Sequence, residues 1–383
     1  MIFWRIARSR GIIPLVLILV AFGYWRLHSR PPQYIAVEHI GERSVTLWNS
    51  LAQVRQPVGD LHYGDRVEVV REVGSSAQVR TGSGELGWLL DSRQMMDATV
   101  WDQSAALLAR VNSLPVQAIG RTKTVSNLRI EPGRNGKRIF QLIRGTPVQI
   151  LERMVADAPQ SSDAGAAVDK DGTDDVRSAK ESWLLVKYAP ETSSAPVTTA
   201  IAGRPAEQVR PASENLVMGS THAASTDSAD AEFPTPPIAG WVLARFIEPD
   251  LPGPVRDYAS SANLHVIAWF ELNRVPDGSG GEAPQYLVAG APGGEGQICD
   301  FTMLRVYTWS TARKRYETAY VESNLCGHLP IRVSRGPEGP AFRFTETGDR
   351  PGESTYLMRQ TVVRRVKEKS SVAPVKPGGP THK

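Results

Sequence analysis

Chemistry in this chain would have to start from few residues. There are two cysteines, Cys299 and Cys326, and seven histidines: His28, His39, His62, His222, His265, His328 and His382. No two histidines have the i, i+4 spacing of a helical zinc site, and the cysteines are too far apart for a two-thiolate knuckle, so no metal site is expected. Cys299-Asp300-Phe301 with His328 is the one set that could serve a cysteine nucleophile. Such a thiolate usually sits at a helix N-terminus, which lowers its pKa. The residues after Cys299, DFTMLRVYTW, read as a strand instead. Cys326 is therefore the expected disulfide partner of Cys299, with two unrelated buried thiols as the other reading. No GxxxxGK[ST] loop or GxSxG elbow occurs; the glycines at 290–296 and 278–281 read as turns. No catalytic residue and no cofactor is expected, and the chain is read as a non-enzyme.

Composition narrows the class further. A net charge of +4 on 383 residues, 22% of them charged, leaves no basic stripe of the kind nucleic acid requires. Two cysteines exclude a disulfide-dense scaffold. The 33 glycines and 28 prolines call for many turns, linkers or disordered stretches.

The first 30 residues read as a membrane anchor. Gly11 to Trp25 is uncharged and nearly all aliphatic or aromatic, with Arg5, Arg8 and Arg10 before it and Arg26 and Arg30 after. As a helix it rises roughly 22 Å, short of a roughly 30 Å hydrocarbon core. Snorkelling arginines and the Tyr24-Trp25 pair at headgroup level can complete the span. A cleaved signal peptide would end in small residues, and this segment ends in bulky ones. It is read as a single-pass anchor in the cell (inner) membrane, with the bulk of the chain periplasmic or otherwise outside the cytoplasm. A cleaved signal or a buried helix are the alternatives. A Cys299–Cys326 disulfide suits an oxidising compartment.

Beyond Pro31-Pro32 the pattern turns to short alternating strands and glycine turns. The first unit, 34–97, carries SVTLWNS (44–50), VGDLHYGDRVEVVREV (58–73), SAQVRT (76–81) and GELGWLLDS (84–92). The second, 115–250, repeats that order with VSNLRIEPG (125–133), RIFQLIRGTPVQILERM (138–154), ESWLLVKY (181–188) and AGWVLARFIEP (239–249). Aligned on their turn strands, Gly64 and Gly145 fall one place apart. Between the units, Ala105, Leu107, Leu108 and Val111 mark a linker helix over 98–114.

At Asn127, Leu128, Arg129, Pro132, Gly133, Gly145, Val148, Trp183, Val186, Gly240, Trp241 and Val242 the second unit resembles the bacterial Src-homology-3-like (SH3b) domain. The first keeps Gly64, Val67, Gly87 and Trp88. It has Val45-Thr46-Leu47-Trp48 where that family opens Asn-Leu-Arg, and Ala77 where a tryptophan is expected. The resemblance implies two tandem small barrels, non-catalytic, that bind cell-wall peptides or a protein partner. Because such barrels accompany cell-wall endopeptidases, a cysteine peptidase is the remote alternative; an envelope scaffold is the nearer one. Trp48, Tyr63, Trp88, Trp183, Tyr188 and Trp241 are candidates for a ligand groove, plain core packing being their other reading.

The second unit carries insertions at 155–180 and 189–238, too poor in apolar residues to order themselves. WLLVKY and GWVLARF are expected to pair across the longer one, unless 189–237 is an interdomain linker. From 260 to 366 seven strands are predicted, as a β-meander, a sandwich or propeller-like blades. A Pro/Lys-rich tail, 367–383, is expected to be disordered. The whole is mainly β.

Overall fold

The structure, a computed structural model, describes residues 34–158, 180–190, 235–292, 296–349 and 351–366. The anchor segment, the greater part of both insertions and the C-terminal tail lie outside them. The described chain is mainly β, with three seven-stranded antiparallel sheets and two short helices. Among the described residues no helix is long and apolar enough to cross a membrane. Two compact units meet at the Ala98/Thr99 boundary.

The first unit is one sheet: β1 (Ala36–Ile40), β2 (Ser44–Trp48), β3 (Pro57–His62), β4 (Arg66–Val73), β5 (Ser76–Thr81), β6 (Leu86–Leu89) and β7 (Met95–Asp97). A 3-10 turn, Ser92–Gln94, precedes β7 and is capped by the Asp91 side chain. Strand order is β3-β2-β6-β5-β4-β1-β7. Alternation does the building: Val67, Val69, Ala77 and Val79 point into a core closed by Ile40, Val45, Leu47, Leu61 and Leu89.

The second unit opens with helix α1 (Ala98–Val111), which contributes Val111, Leu107 and Leu108 to an apolar cluster. A second sheet follows: β8 (Ala118–Thr122), β9 (Ser126–Arg129), β10 (Arg138–Leu142), β11 (Pro147–Asp157), β12 (Lys180–Tyr188), β13 (Ile238–Leu243) and β14 (Ile247–Pro249), with a 3-10 turn at Ala244–Phe246. Its order, β10-β9-β13-β12-β11-β8-β14, is that of the first sheet advanced by seven. Strands β12 and β13 pair from Trp183↔Leu243 to Tyr188↔Ile238, although the chain between them runs from 189 to 237.

The two sheets agree residue by residue. Gly64 and Gly145, both at positive φ, donate to Ile40 and Thr122. Each long strand bulges at the same place, between Val69 and Arg71 and between Ile150 and Glu152. These matches correct the sequence alignment: the turn glycines coincide rather than being offset. Thr46-Leu47-Trp48 stands where Asn127-Leu128-Arg129 does, and Ser76, not Ala77, is opposite Val73 as Trp183 is opposite Met154. The opening strands β1 and β8 carried no sequence signal of their own.

The third sheet is a meander in chain order, β15 (Leu264–Pro276), β16 (Glu282–Pro292), β17 (Phe301–Ser310), β18 (Arg315–Gly336), β19 (Gly339–Glu346), β20 (Gly352–Arg359) and β21 (Val362–Val366). One sheet replaces the sandwich or blades that were among the expectations. The sheet closes towards itself far enough for the Arg335 guanidinium on β18 to donate to the Glu271 and Leu272 carbonyls of β15. Leu287, Phe301, Phe342, Phe344, Tyr356 and Met358 fill one face. On the other, Val266, Tyr286, Val288 and Tyr307 are covered by helix α2 (Gly253–Ser261) through Val255 and Ala259. The predicted strands 316–322 and 328–334 are one strand, and 354–366 is two. Asn324 at φ 60° bends the first without ending it, and Gln360 at φ 56° turns the second with neither glycine nor proline.

Candidate functional site

The six aromatic candidates do not share one setting. Trp48 and Trp88 are cross-strand partners, each with an arginine over its ring, Arg55 and Arg71, at 4.8 Å from the centroid. Trp88 is buried and Trp48 half-buried, so this pair presents guanidinium-covered ring faces near the surface. Tyr63 is buried. In the second sheet Trp183 and Trp241 join Leu151, Leu185 and Leu243 beneath α1, and Tyr188 stacks on Phe140 at 5.9 Å. Those three rings are core.

The reason lies in β12, which is buried on both faces from Glu181 to Val186 and carries the apolar run Trp183-Leu184-Leu185-Val186 at its centre. Trp183 and Leu185 point towards α1. Ser182 and Leu184 point the other way, into a cleft of about 340 Å³ between the second and third sheets. Its walls are mostly apolar: Ile150, Leu184, Ile247, Val266 and Ala291, with Ala244 beside them. Lys123, Arg245 and His265 also line it, all exposed. Arg245 is tied to Glu181, 3.2 Å away. Sequence reasoning missed this cleft, because no local signal says which two sheets will face each other.

A buried ion pair forms the floor. Arg153 of β11 donates from Nη1 to Asp300 Oδ1 at 2.9 Å and from Nη2 to Ser182 Oγ at 2.7 Å and to the Gln297 carbonyl at 2.8 Å. Both charged side chains are about 5% exposed (5% and 6%). Burial pushes the Asp300 carboxyl above its usual range, opposed by the Leu329 amide, which donates to Oδ2 at 2.8 Å, and by Arg153. Gly296 lets its loop approach β12: a Cβ there would lie 2.4 Å from the Lys180 carbonyl oxygen. Farther along the same junction, the fully buried Gln117 joins the sheets again. Its Oε1 accepts from the Ile331 amide at 2.8 Å, Nε2 donates to the Pro115 and Ile331 carbonyls, and its carbonyl accepts from Trp269.

Cys299 and Cys326 are joined, S–S 2.03 Å, at the edge of this floor. The thiol that a peptidase reading would need on Cys299 is thus bonded to Cys326, and His328 lies against Cys326 rather than Cys299. His328 Nε2 is 2.9 Å from Thr347 Oγ1, and the Thr347 hydroxyl donates to Cys326 Sγ at 3.1 Å. Among the described residues no group of three or more His, Cys, Asp or Glu side chains is placed to hold a metal ion. No protein-family model matches the sequence, and no curated protein matches it.

Proposed function

We propose that this chain is a non-catalytic, membrane-anchored binding protein of the cell envelope, whose two SH3-like barrels and C-terminal sheet hold a cell-wall peptide or a partner segment. The observation that carries the reading is the cleft between the second and third sheets. Its volume of about 340 Å³ and apolar walls suit one or two side chains of an extended ligand, and Lys123 at its mouth suits a ligand carboxylate. The duplicated strand order, with a 3-10 turn before each last strand, supports the SH3-like part. The disulfide and the apolar Gly11–Trp25 segment support the envelope part.

The test is co-sedimentation of the full chain, in detergent, with purified peptidoglycan, beside Ala244→Phe, which fills the cleft. Retention of the native chain and a loss of about tenfold or more in the variant is the expected result. If both are retained equally the cleft is not the seat of binding. If neither is retained, the reading as a cell-wall binder fails and an envelope scaffold takes its place.

A further inference from the structure

The surroundings of the disulfide give its two sulfurs unequal roles. Both cysteines are half-buried, so neither is closed off from solvent. Cys326 Sγ accepts a hydrogen bond from the Thr347 hydroxyl. The Thr347 oxygen also lies 2.9 Å from His328 Nε2. His328 Nδ1 in turn lies 3.8 Å from Asp300 Oδ2. The Thr347 hydroxyl thus gives Cys326 Sγ a side-chain donor, while no side-chain donor reaches Cys299 Sγ among the described residues. A thiol leaves a disulfide faster when its thiolate is better stabilised. Cys326 is accordingly the better leaving group, and Cys299, beside the exposed Ile298, is the sulfur to be attacked.

We propose that Cys299–Cys326 is a thiol–disulfide exchange site that takes a dithiol, small or protein-borne, and that its reduction loosens the junction of the second and third sheets. One thiolate of the dithiol attacks Cys299 Sγ, forming a mixed disulfide and releasing Cys326 as a thiolate that accepts from Thr347. The second thiol then displaces Cys299. The dithiol is oxidised to its disulfide by loss of two electrons, and its two protons end on the cysteine sulfurs. The junction responds because the Cys299 backbone is part of it. The Cys299 carbonyl lies 3.4 Å from Arg153 Nη1, and the next residue, Asp300, is the partner of that guanidinium. Releasing Cys299 from β18 frees the loop that carries Gln297, Cys299 and Asp300 to Arg153.

The experiment treats the folded full chain with dithiothreitol without denaturant, quenching with a maleimide to follow reduction, and traps the mixed disulfide with a monothiol, glutathione, for mass spectrometry. Thr347→Val should slow reduction roughly three- to tenfold, and Thr347→Ser, which keeps the hydroxyl, should restore it. Glutathione should be found on Cys299. Hydrogen exchange should rise in β11 and β12 on reduction. Reduction that needs denaturant, adduct chiefly on Cys326, equal rates in native and Thr347→Val chains, or unchanged exchange in those strands would each overturn the proposal. None of these readouts depends on whether the cleft binds peptidoglycan.

Discussion

Two glycines and two leucines show how closely the repeated units agree. A Cβ on Gly87 would lie 2.3 Å from Leu47 Cγ, and one on Gly240 would lie 2.9 Å from Leu128 Cβ. In each unit the glycine of the Gly-Trp pair lets the leucine of a neighbouring strand pass, so the need is for space rather than for an unusual φ. Gly87→Ala and Gly240→Ala should each destabilise the native chain by about 1–3 kcal/mol, the range for overpacking. Combining Gly87→Ala with Leu47→Ala should cost less than the sum, as urea unfolding of the double-mutant cycle would show. The equivalent opening positions also keep a polar contact while changing its chemistry. Thr46 Oγ1 donates to Asp60 at 2.8 Å, and Gln141 Nε2 donates to Asn127 at 3.1 Å. A motif search sees the loss of Asn-Leu-Arg, whereas the sheet retains a cross-strand hydrogen bond.

Among the elements, β12 has the most demanding position, with α1 on one face and the cleft on the other. Its first turn of contacts is electrostatic. Glu181, nearly buried, accepts from Arg134 Nε and Nη2 at 3.0 and 2.6 Å and from Arg245 at 3.2 Å. The Arg134 hydrogen bonds hold its carboxyl below the usual range, against the pull of burial. A lowered folded pKa means stabilisation that is complete above the unfolded glutamate value of about 4.3 and lost as pH falls through the lowered folded value. Glu181→Gln should therefore melt below the native chain at neutral pH, the two converging as pH drops below about 4. Thermal melts across pH 2.5–7 would check this. Much at this scale was legible in the sequence. The linker helix and most strands of both units follow from periodicity and turn residues, and the pairing of WLLVKY with GWVLARF follows from the repeated order of the units. What was not legible had no local marker. β1 and β8 are short strands defined by the partners on either side of them, and the Gln360 turn lacks glycine, proline and asparagine. At Ser323-Asn324 a bend looked like a break because one positive φ can serve either.

For the whole molecule, the consequential junction is the one between the second and third sheets, held by Arg153–Asp300 and Gln117. Two buried opposite charges cost desolvation roughly equal to their attraction, so the pair need not add stability, but halving it must subtract. Arg153→Met should destabilise by about 3–5 kcal/mol, leaving Asp300 buried without its cation. Arg153→Met with Asp300→Leu should recover much of that loss, and guanidinium unfolding of the three variants decides it. The cleft was invisible in sequence because Ile150, Leu184 and Ile247 belong to strands of one predicted domain and Val266 to another. Only the docking of the two sheets leaves them lining a gap. The sequence had separated residues 115–250 from 260–366, and the structure brings them into one compact unit.

Strands β11 and β12 stay paired as far as Asp157↔Lys180, and β12 and β13 as far as Tyr188↔Ile238. The ends of each long stretch of sequence thus stand as a doorway a single cross-strand pair wide. Cargo spliced through either doorway, such as a fluorescent reporter or an affinity handle, meets a framework whose pairing is already closed behind it.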